Sequence, residues 1–540
     1  MFHRICCSLI VLFSVGASQP GLIAQNVTMQ RNDLSRTGVN PAETTLKVSN
    51  VNANSFGKLF SLPVDGQVYA QPLYLANVTI PNQGVHNVVY IVTEHDSVYA
   101  FDADNAHQTA PLWHVSLGTS ILCANIPYCI QDVVPEMGVT STPVIDSVSM
   151  TIYVVAETIA SANNLSTPKF ALHALNATSG VEKFNGPAVI SGSAAGNGSD
   201  SVNGKITFNP YYQLQRPALL LLNGTIYIAF GSHEDVGTWH GWVFGYDAKS
   251  LRQVASRCLS PDGSAGGVGV WQGGVGPAAD ANGNIYIETG NGDLTAGTAG
   301  GTSYGQSVVK LSSPQGLLPV DFFSPSNFDE TNPEDNDLGS GGPLLIPGTS
   351  LILAGGKTGT VYVVDTNNMG GYNTTGGGYG GTGDKIPQEW QASNNLMFAG
   401  RIFYNSTLYL WPEGDVLRAY AYTGGTAPFN TSPATSNVSV ASGYKNEPAI
   451  SLSANGTAQG TAILWAAYSQ SGAADGHNYP GIFQAFDAST LQEIWGSEMN
   501  PSRDYSGSWS KWSPPTIANG KVYLATFDGL VNVYGPLGPQ

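Results

Sequence analysis

A short pattern recurs eight times along this chain: a proline or glycine start, a strand with a β-branched–tyrosine core, and an apolar–aromatic strand that runs into Asp-Ala. Its clearest copies are "VVYIVTEHDSVYAFDA", "IYIAFGSHEDVGTWHGWVFGYDA" and "VYLATFDGLVNVYGP". A unit of about 50–70 residues made only of strands cannot bury its apolar face alone. Copies must therefore stack, and four-stranded units stacked around an axis make a propeller with one copy per blade.

The first strands start at Pro72, Pro143, Pro217, Pro277, Pro343, Pro448 and Pro515. The interval from Pro343 to Pro448 holds two copies, and the missing start falls near Gly400 in "FAGRIFYNSTLYLW". Proline suits this place because the innermost strand is an edge, where a missing N–H breaks no ladder bond. Second strands read Val89-Tyr90-Ile91, Ile152-Tyr153-Val154, Ile226-Tyr227-Ile228, Ile285-Tyr286-Ile287, Leu408-Tyr409-Leu410 and Val522-Tyr523-Leu524, with Ile352 and Leu464 replacing the tyrosine in two copies. No stretch holds a helical period, and alternating apolar and small residues rich in β-branched and aromatic types are the mark of strands. The expected fold is all-β, an eight-bladed propeller of four-stranded antiparallel blades. Outer strands are expected at Leu112-Trp113, Glu182-Lys183-Phe184, Glu389-Trp390 and Ile494-Trp495. The last copy ends without one, so "FGKLFSL" at 56–62 is expected to supply it and close the ring, which removes the exposed sheet edges.

The repeats assign residues 56–536 to one domain, between an extension at 25–55 and a tail at 537–540. Arg4 followed by an apolar run and small residues reads as a secretory signal peptide over 1–24, cleaved after about residue 17–24. Export, to the extracellular space or a periplasm, is the expectation, and the run is short for a membrane span. A net charge of −17 and the lack of any basic run argue against a nucleic-acid partner. Beyond the leader, Cys123 and Cys129 flank "ANIPY" and read as a local disulfide, with Cys258 left as a buried thiol. Sequons such as Asn77, Asn223 and Asn437 would carry glycans in a eukaryotic secretory pathway.

Strand alternation assigns loops to faces. Linkers between blades and the loops from second to third strands share one side, here called the top face. The long second-to-third loops at 157–169, 232–241, 290–305 and 469–481 lie there, as do the linkers 117–137, 186–212, 260–272 and 320–338. Elaborate loops on a rigid scaffold are where sites usually sit. The Gly-rich 367–385 falls on the opposite face by the same count. Residues just before each inner strand should ring the channel mouth: Tyr69, Gln71, Glu136, Thr140, Gln215, Arg216, Trp271, Gln272, Asp337, Ser340, Arg401, Lys445, Glu447, Trp509, Lys511 and Trp512. Such a mixture of acid, base, amide and indole suits a polar, flat or sugar-like ligand, although a wet channel mouth is polar in any case. His233, Glu234, Asp235 and His240 crowd one loop and are competent for metal binding or proton transfer, with a solvated loop as the plainer reading. The acidic linker 329–337 could offer oxygen ligands to calcium but lacks the EF-hand spacing and reads as solvated.

The segments "HDSVYAFDADN", "TGTVYVVDTNN", "ANGKVYLATFDGLVNVYG" and "FQAFDASTLQEIW" resemble the pyrroloquinoline-quinone (PQQ)-type repeat of the quinoprotein alcohol dehydrogenase-like propellers. The resemblance covers nearly all of 56–536, and a longer pattern beginning "VVPEMGVTSTPVID" is similar to secreted members of that group. It implies eight blades, and PQQ with calcium as possible cofactors, since some members are quinone-dependent dehydrogenases and others are cofactor-free. The dehydrogenases carry a disulfide between adjacent cysteines beneath the quinone, which the chain beyond its leader lacks, and there is no C-x-x-C-H haem site. No cofactor is evident from the residues themselves. Three functions follow in order of expectation. The first is a monomeric scaffold binding a glycan, small molecule or protein at the top face. The second is an extracellular PQQ/calcium-dependent alcohol or sugar dehydrogenase. The third is a hydrolase or lyase using Glu136 with His233 or His240.

Overall fold

Eight antiparallel sheets stand around a common axis in a computed structural model that describes residues 26–538 except 108–109, 127–131, 161–167, 264–265, 374–382, 444 and 472–477. Blade one runs outward through Leu73–Ile80, Gly84–Val92, Ser97–Asp102 and Trp113–Ser116. The inner strands of the next six are Val144–Asp146, Leu220–Leu222, Ala278–Ala279, Leu344–Leu345, Ile402–Tyr404 and Ala449–Ser453, each close behind the proline or glycine that announces it. Blade eight holds Thr516–Ala518, Lys521–Ala525 and Leu530–Pro536, and its outer strand is Phe56–Pro63, antiparallel to Leu530–Pro536. The ring is thus closed by the segment expected to close it.

The core lies between blades rather than within them. Phe170, Phe208, Phe230, Trp242 and Phe244 interlock between blades two and three, and Phe56, Trp465, Phe483, Trp495 and Tyr534 between seven and eight. Each such ring removed from water is worth about 1.5–3 kcal/mol. The repeated tyrosine and Asp-Ala meet across these interfaces. The hydroxyls of Tyr90, Tyr153, Tyr409 and Tyr523 donate to the carbonyls of Ala177, Ala248, Ala488 and Ala103, each in the following blade. The Asp or Asn before each alanine accepts backbone N–H groups two residues on, which fixes the turn that presents the carbonyl.

The extension ahead of the first repeat is not peripheral. It threads the channel and touches every blade in turn. Val27 bridges Tyr74 of blade one, and Thr28, Leu34, Ser35 and Thr37 accept the amides of Ile145, Ala279, Leu345 and Phe403. Arg36 donates to Leu219 of blade three, Val39–Asn40 adds a parallel strand to blade seven, and the Asn40 side chain reaches Ile517 of blade eight. Arg31 and Arg36 are buried on the axis, 3% and 0% exposed, with carbonyls as their partners: Arg36, Ile450 and Arg401 for the first, Pro277, Gln30 and Leu219 for the second. Burial pulls these guanidinium groups down to about 9 and about 10, still protonated at neutral pH. The lower channel is therefore filled by the chain's own first described residues.

Two local readings need correction. The outer strand of blade two is Ala188–Val189, with Glu182 forming only an isolated bridge to Leu175, because Glu182 turns its carboxylate onto His173 and the Ala174 amide. The Gly-rich segment after blade five's third strand starts at the bottom but does not stay there. Gly371–Tyr372 pairs in parallel with the upper end of Leu318–Ser324, and Asp384 accepts the Ser326 amide. Gly371–Tyr372 thus adds a fifth strand to blade four and blunts its outer edge. Cys258 is free and buried, while Cys129, the expected partner of Cys123, lies outside the described residues. Among the described residues no helix is long and apolar enough to cross a membrane.

Candidate functional site at the channel mouth

With the lower channel filled, the open concavity is the top mouth, a cavity of about 350 Å³. Its walls come from seven linkers and two second-to-third loops. Arg216, Trp271, Ser340, Phe398, Lys445 and Trp512 precede inner strands, Asp132, Asp335 and Asp337 come from longer linker runs, and Glu234, Asp235 and Lys357 sit in the loops. Most of the wall is thus carried by linkers between rigid sheets, with Lys357 added by a short hairpin of blade five.

One side of the mouth is cationic. Asp132 Oδ1 lies 2.5 Å from Lys445 Nζ and 3.1 Å from Lys511 Nζ, and its Oδ2 lies 3.4 Å from Arg216 Nη1. Burial alone would raise the Asp132 carboxyl, but Lys511, Lys445 and Arg216 together hold it well below the usual range. Burial pulls the Lys511 amine down to about 8, with Asp132 opposing and the neighbouring cations assisting. The Arg216 guanidinium carbon stands 4.1 Å from the centre of the Trp512 ring and Lys511 Nζ 4.3 Å from it, so the indole orders both cations. Tyr69 backs Trp512 at 5.7 Å and leans on Phe527.

The other side is acidic. Lys357 Nζ lies 2.8 Å from both Asp335 and Asp337, and Asp337 also accepts the Asn291 amide. Burial pushes the Asp235 carboxyl up to about 6, aided by Asp337 and Asp335, while Ser232 donates to it. Trp271 stands among these groups at 8% exposure, edge to face with Trp239. Its ring rests in a glycine cradle: a Cβ on Gly290 would come within 2.4 Å of it and one on Gly269 within 2.5 Å. Backbone strain gathers here too, since Glu234, Asp235, Asp335, Lys445 and Trp512 all have φ between 55° and 68°. A non-glycine residue held there costs about 1–3 kcal/mol, a load that natural folds concentrate at ligand clamps.

The residues expected at the mouth separate into three groups. Arg216, Trp271, Asp337, Ser340, Lys445, Lys511 and Trp512 are brought together around the cavity or its floor. Gln71, Gln215, Gln272, Arg401 and Glu447 lie beneath as scaffolding. Gln71 binds the Arg31 amide and Thr516, Gln215 the Pro217 and Ala229 carbonyls, and Gln272 the Val275 carbonyl and Glu288 amide. Arg401 donates to Gly342 and Gly355, Glu447 accepts the Phe398 amide, and Trp509 donates to Ala467. The rest stand apart. Glu136 meets His95 and Ser120, Thr140 donates to Glu94, and His240 is buried between Ser260 and Asp200. His233 is buried with neither ring nitrogen hydrogen-bonded. Ser120 donates to the Glu136 carboxylate, away from His233 and His240.

Sequence reasoning missed Asp132, Lys357 and Phe398. Asp132 sits mid-linker with no periodic signal, and only its arrival beside three cations from distant linkers reveals it. Lys357 lies in a short hairpin of blade five.

Comparison with protein-family models gives no match, and comparison with curated protein sequences gives none. Solved structures match along the whole ring. The quinohemoprotein alcohol dehydrogenase ADHIIG of Pseudomonas putida HK5 aligns over 95% of this chain and 81% of its own at 14% identity and a TM-score of 0.54. That of Comamonas testosteroni aligns over 94% and 80% at 13% identity and a TM-score of 0.53. A europium-containing methanol dehydrogenase aligns over 95% and 85% at 13% identity and a TM-score of 0.51. The likeness is one of fold: this chain is an eight-bladed propeller, similar in fold to these dehydrogenases.

Proposed function

We propose that this chain is an exported ligand-binding propeller whose site is the top mouth of the channel. The observation that carries this reading is the mouth itself: a cavity of about 350 Å³ with a cationic side, an acidic side and a glycine-cradled indole between them. Its floor is sealed by the threaded segment, so a ligand enters and leaves from the top. Small polar molecules or glycan ends match this size and polarity. The leader-like 1–24 supports export, and the sequons would then face a glycosylating compartment if the source has one.

The test is a glycan and small-molecule binding panel on the wild type and on Arg216→Ala and Trp271→Ala. Binding by the wild type that both variants lose supports the mouth. Equal binding by all three removes it.

A second reading, a quinone-dependent oxidoreductase, is favoured by the likeness to enzymes named quinohemoprotein alcohol and methanol dehydrogenases. The donor set at the mouth does not suit a quinone held with a divalent cation. Asp132 faces three cations, Asp337 faces Lys357, and among the described residues no three His, Cys, Asp or Glu side chains gather closely enough to hold a metal ion. Titration with PQQ and calcium, followed by quinone absorbance and dye reduction, decides the matter. Saturable binding at micromolar cofactor would establish the second reading in place of the first.

A further inference from the structure

Asp132 comes from the linker between blades one and two, while its three cations come from the linkers before blades three, seven and eight. Each cation has supports other than Asp132. Arg216 lies on Trp512 and donates from Nε to the Trp271 carbonyl at 3.5 Å. Lys511 lies against the same indole and is 1% exposed. Lys445 is set by its left-handed backbone, φ 65°, and by its amide on Glu413. The trio thus belongs to the rigid ring, and the carboxylate is a guest delivered by another segment. Preorganised cations of this kind form a site for a planar carboxylate, which Asp132 occupies from within the chain.

Resting on the mouth as the ligand site, we propose that Arg216, Lys445 and Lys511 form a carboxylate-binding subsite, that Asp132 is its built-in competitor, and that the ligand is a hydroxylated organic acid of the sugar-acid class. The ligand's carboxylate takes the place of the Asp132 side chain. Its hydroxyls donate to Asp235, Asp335 and Asp337 across the cavity, and its C–H face lies on Trp271. A neutral sugar offers the trio nothing to exchange for Asp132, and a bare carboxylate gains nothing from the far wall. A tethered competitor acts at an effective concentration in the millimolar range, so small acids such as acetate do not displace it.

The test uses the full mature chain and its Asp132→Asn and Asp132→Ala variants, with glucuronate, glucose and acetate as probes at matched ionic strength, read by calorimetry and thermal midpoint. Wild type is expected to bind glucuronate in preference to glucose. Asp132→Asn, which keeps the side-chain volume, is expected to bind glucuronate about ten-fold tighter with no gain for glucose. Acetate is expected to raise the midpoint of Asp132→Ala and leave that of the wild type unchanged. Arg216→Ala is expected to erase the preference for the acid. Equal acetate response in wild type and Asp132→Ala, or no gain for glucuronate in Asp132→Asn, overturns the proposal. Binding of neutral glucose that depends on Trp271 but not on Arg216 keeps the mouth and overturns the carboxylate subsite. Loss of all binding in the wild type overturns both.

Discussion

Tyr153 of the second blade donates its hydroxyl to the carbonyl of Ala248 in the third, at 2.6 Å. This contact explains why tyrosine and Asp-Ala recur together: one supplies the donor, the other a turn that presents the acceptor. Where a strand carries Ile352 or Leu464 instead, other bonds cross the interface, such as Gln388 to the Phe429 backbone after blade five and Trp509 to the Ala467 carbonyl after blade seven.

Tyr153→Phe should leave the buried Ala248 carbonyl without its partner and cost about 1–3 kcal/mol. Tyr227→Phe, where the next blade offers Ser312-Ser313 in place of Asp-Ala, should cost less than half as much. Denaturant midpoints of the two variants check this.

Arg36→Ala should destabilise the ring by about 3 kcal/mol or more, because it strands three carbonyls from blades three and four and the threaded segment. Arg36→Lys should recover only part of the loss, since an ammonium lacks the planar fork. The thermal midpoints should rank wild type, then lysine, then alanine.

Glu94 is buried beside Gly138 and Thr140, and burial pushes its carboxyl up to about 8. The folded state therefore holds this proton more tightly than the unfolded chain, and the stability it lends is fully present below the unfolded value near 4.5 and lost as pH rises through 8. Buried Glu288 and Glu447, each also raised to about 8, act in the same direction. Thermal midpoints should fall between pH 5 and pH 8.5, and Glu94→Gln should flatten that slope.

Gly290→Ala would drive a methyl into the Trp271 ring and the Asp337 carboxylate, 2.4 and 2.6 Å away. The indole must move, so its fluorescence should shift and ligand binding at the mouth should weaken at least ten-fold. An unaltered emission spectrum would show that the cradle does not fix the ring.

Burial pushes the Cys258 thiol up to about 12. Native protein should resist iodoacetamide at this residue for hours at pH 8, and denaturant should expose it. Peptide mass mapping distinguishes the two states.

The blades were legible because each is a local pattern with a fixed period, and the prolines mark its start. Ring closure by 56–62 followed from counting strands. The threaded segment was not legible: Val27, Thr28, Leu34 and Ser35 follow no strand period, and their partners are inner strands scattered over hundreds of residues. The mouth was half legible for the same reason. Arg216, Trp271, Lys445 and Trp512 sit at a repeated position before inner strands, whereas Asp132 gains its meaning only from three-dimensional closure. For the Gly-rich run after blade five's third strand, strand counting gives the face where it begins, not the edge on which Gly371–Tyr372 then pairs.

Arrays of repeats ordinarily gain or lose units one at a time, since each unit touches only its neighbours. A segment that bonds to all eight inner strands changes that statistical behaviour, because every blade shares one common partner. Melting one blade loosens the hold on the other seven, so the ring should unfold in a single transition. The order of synthesis matters as well: residues 27–40 are made before all eight inner strands, yet Asn40 takes its partner, Ile517, from the last of them. The hold of this segment on the ring is therefore complete only once blade eight has been made, and a chain cut before it lacks that last partner.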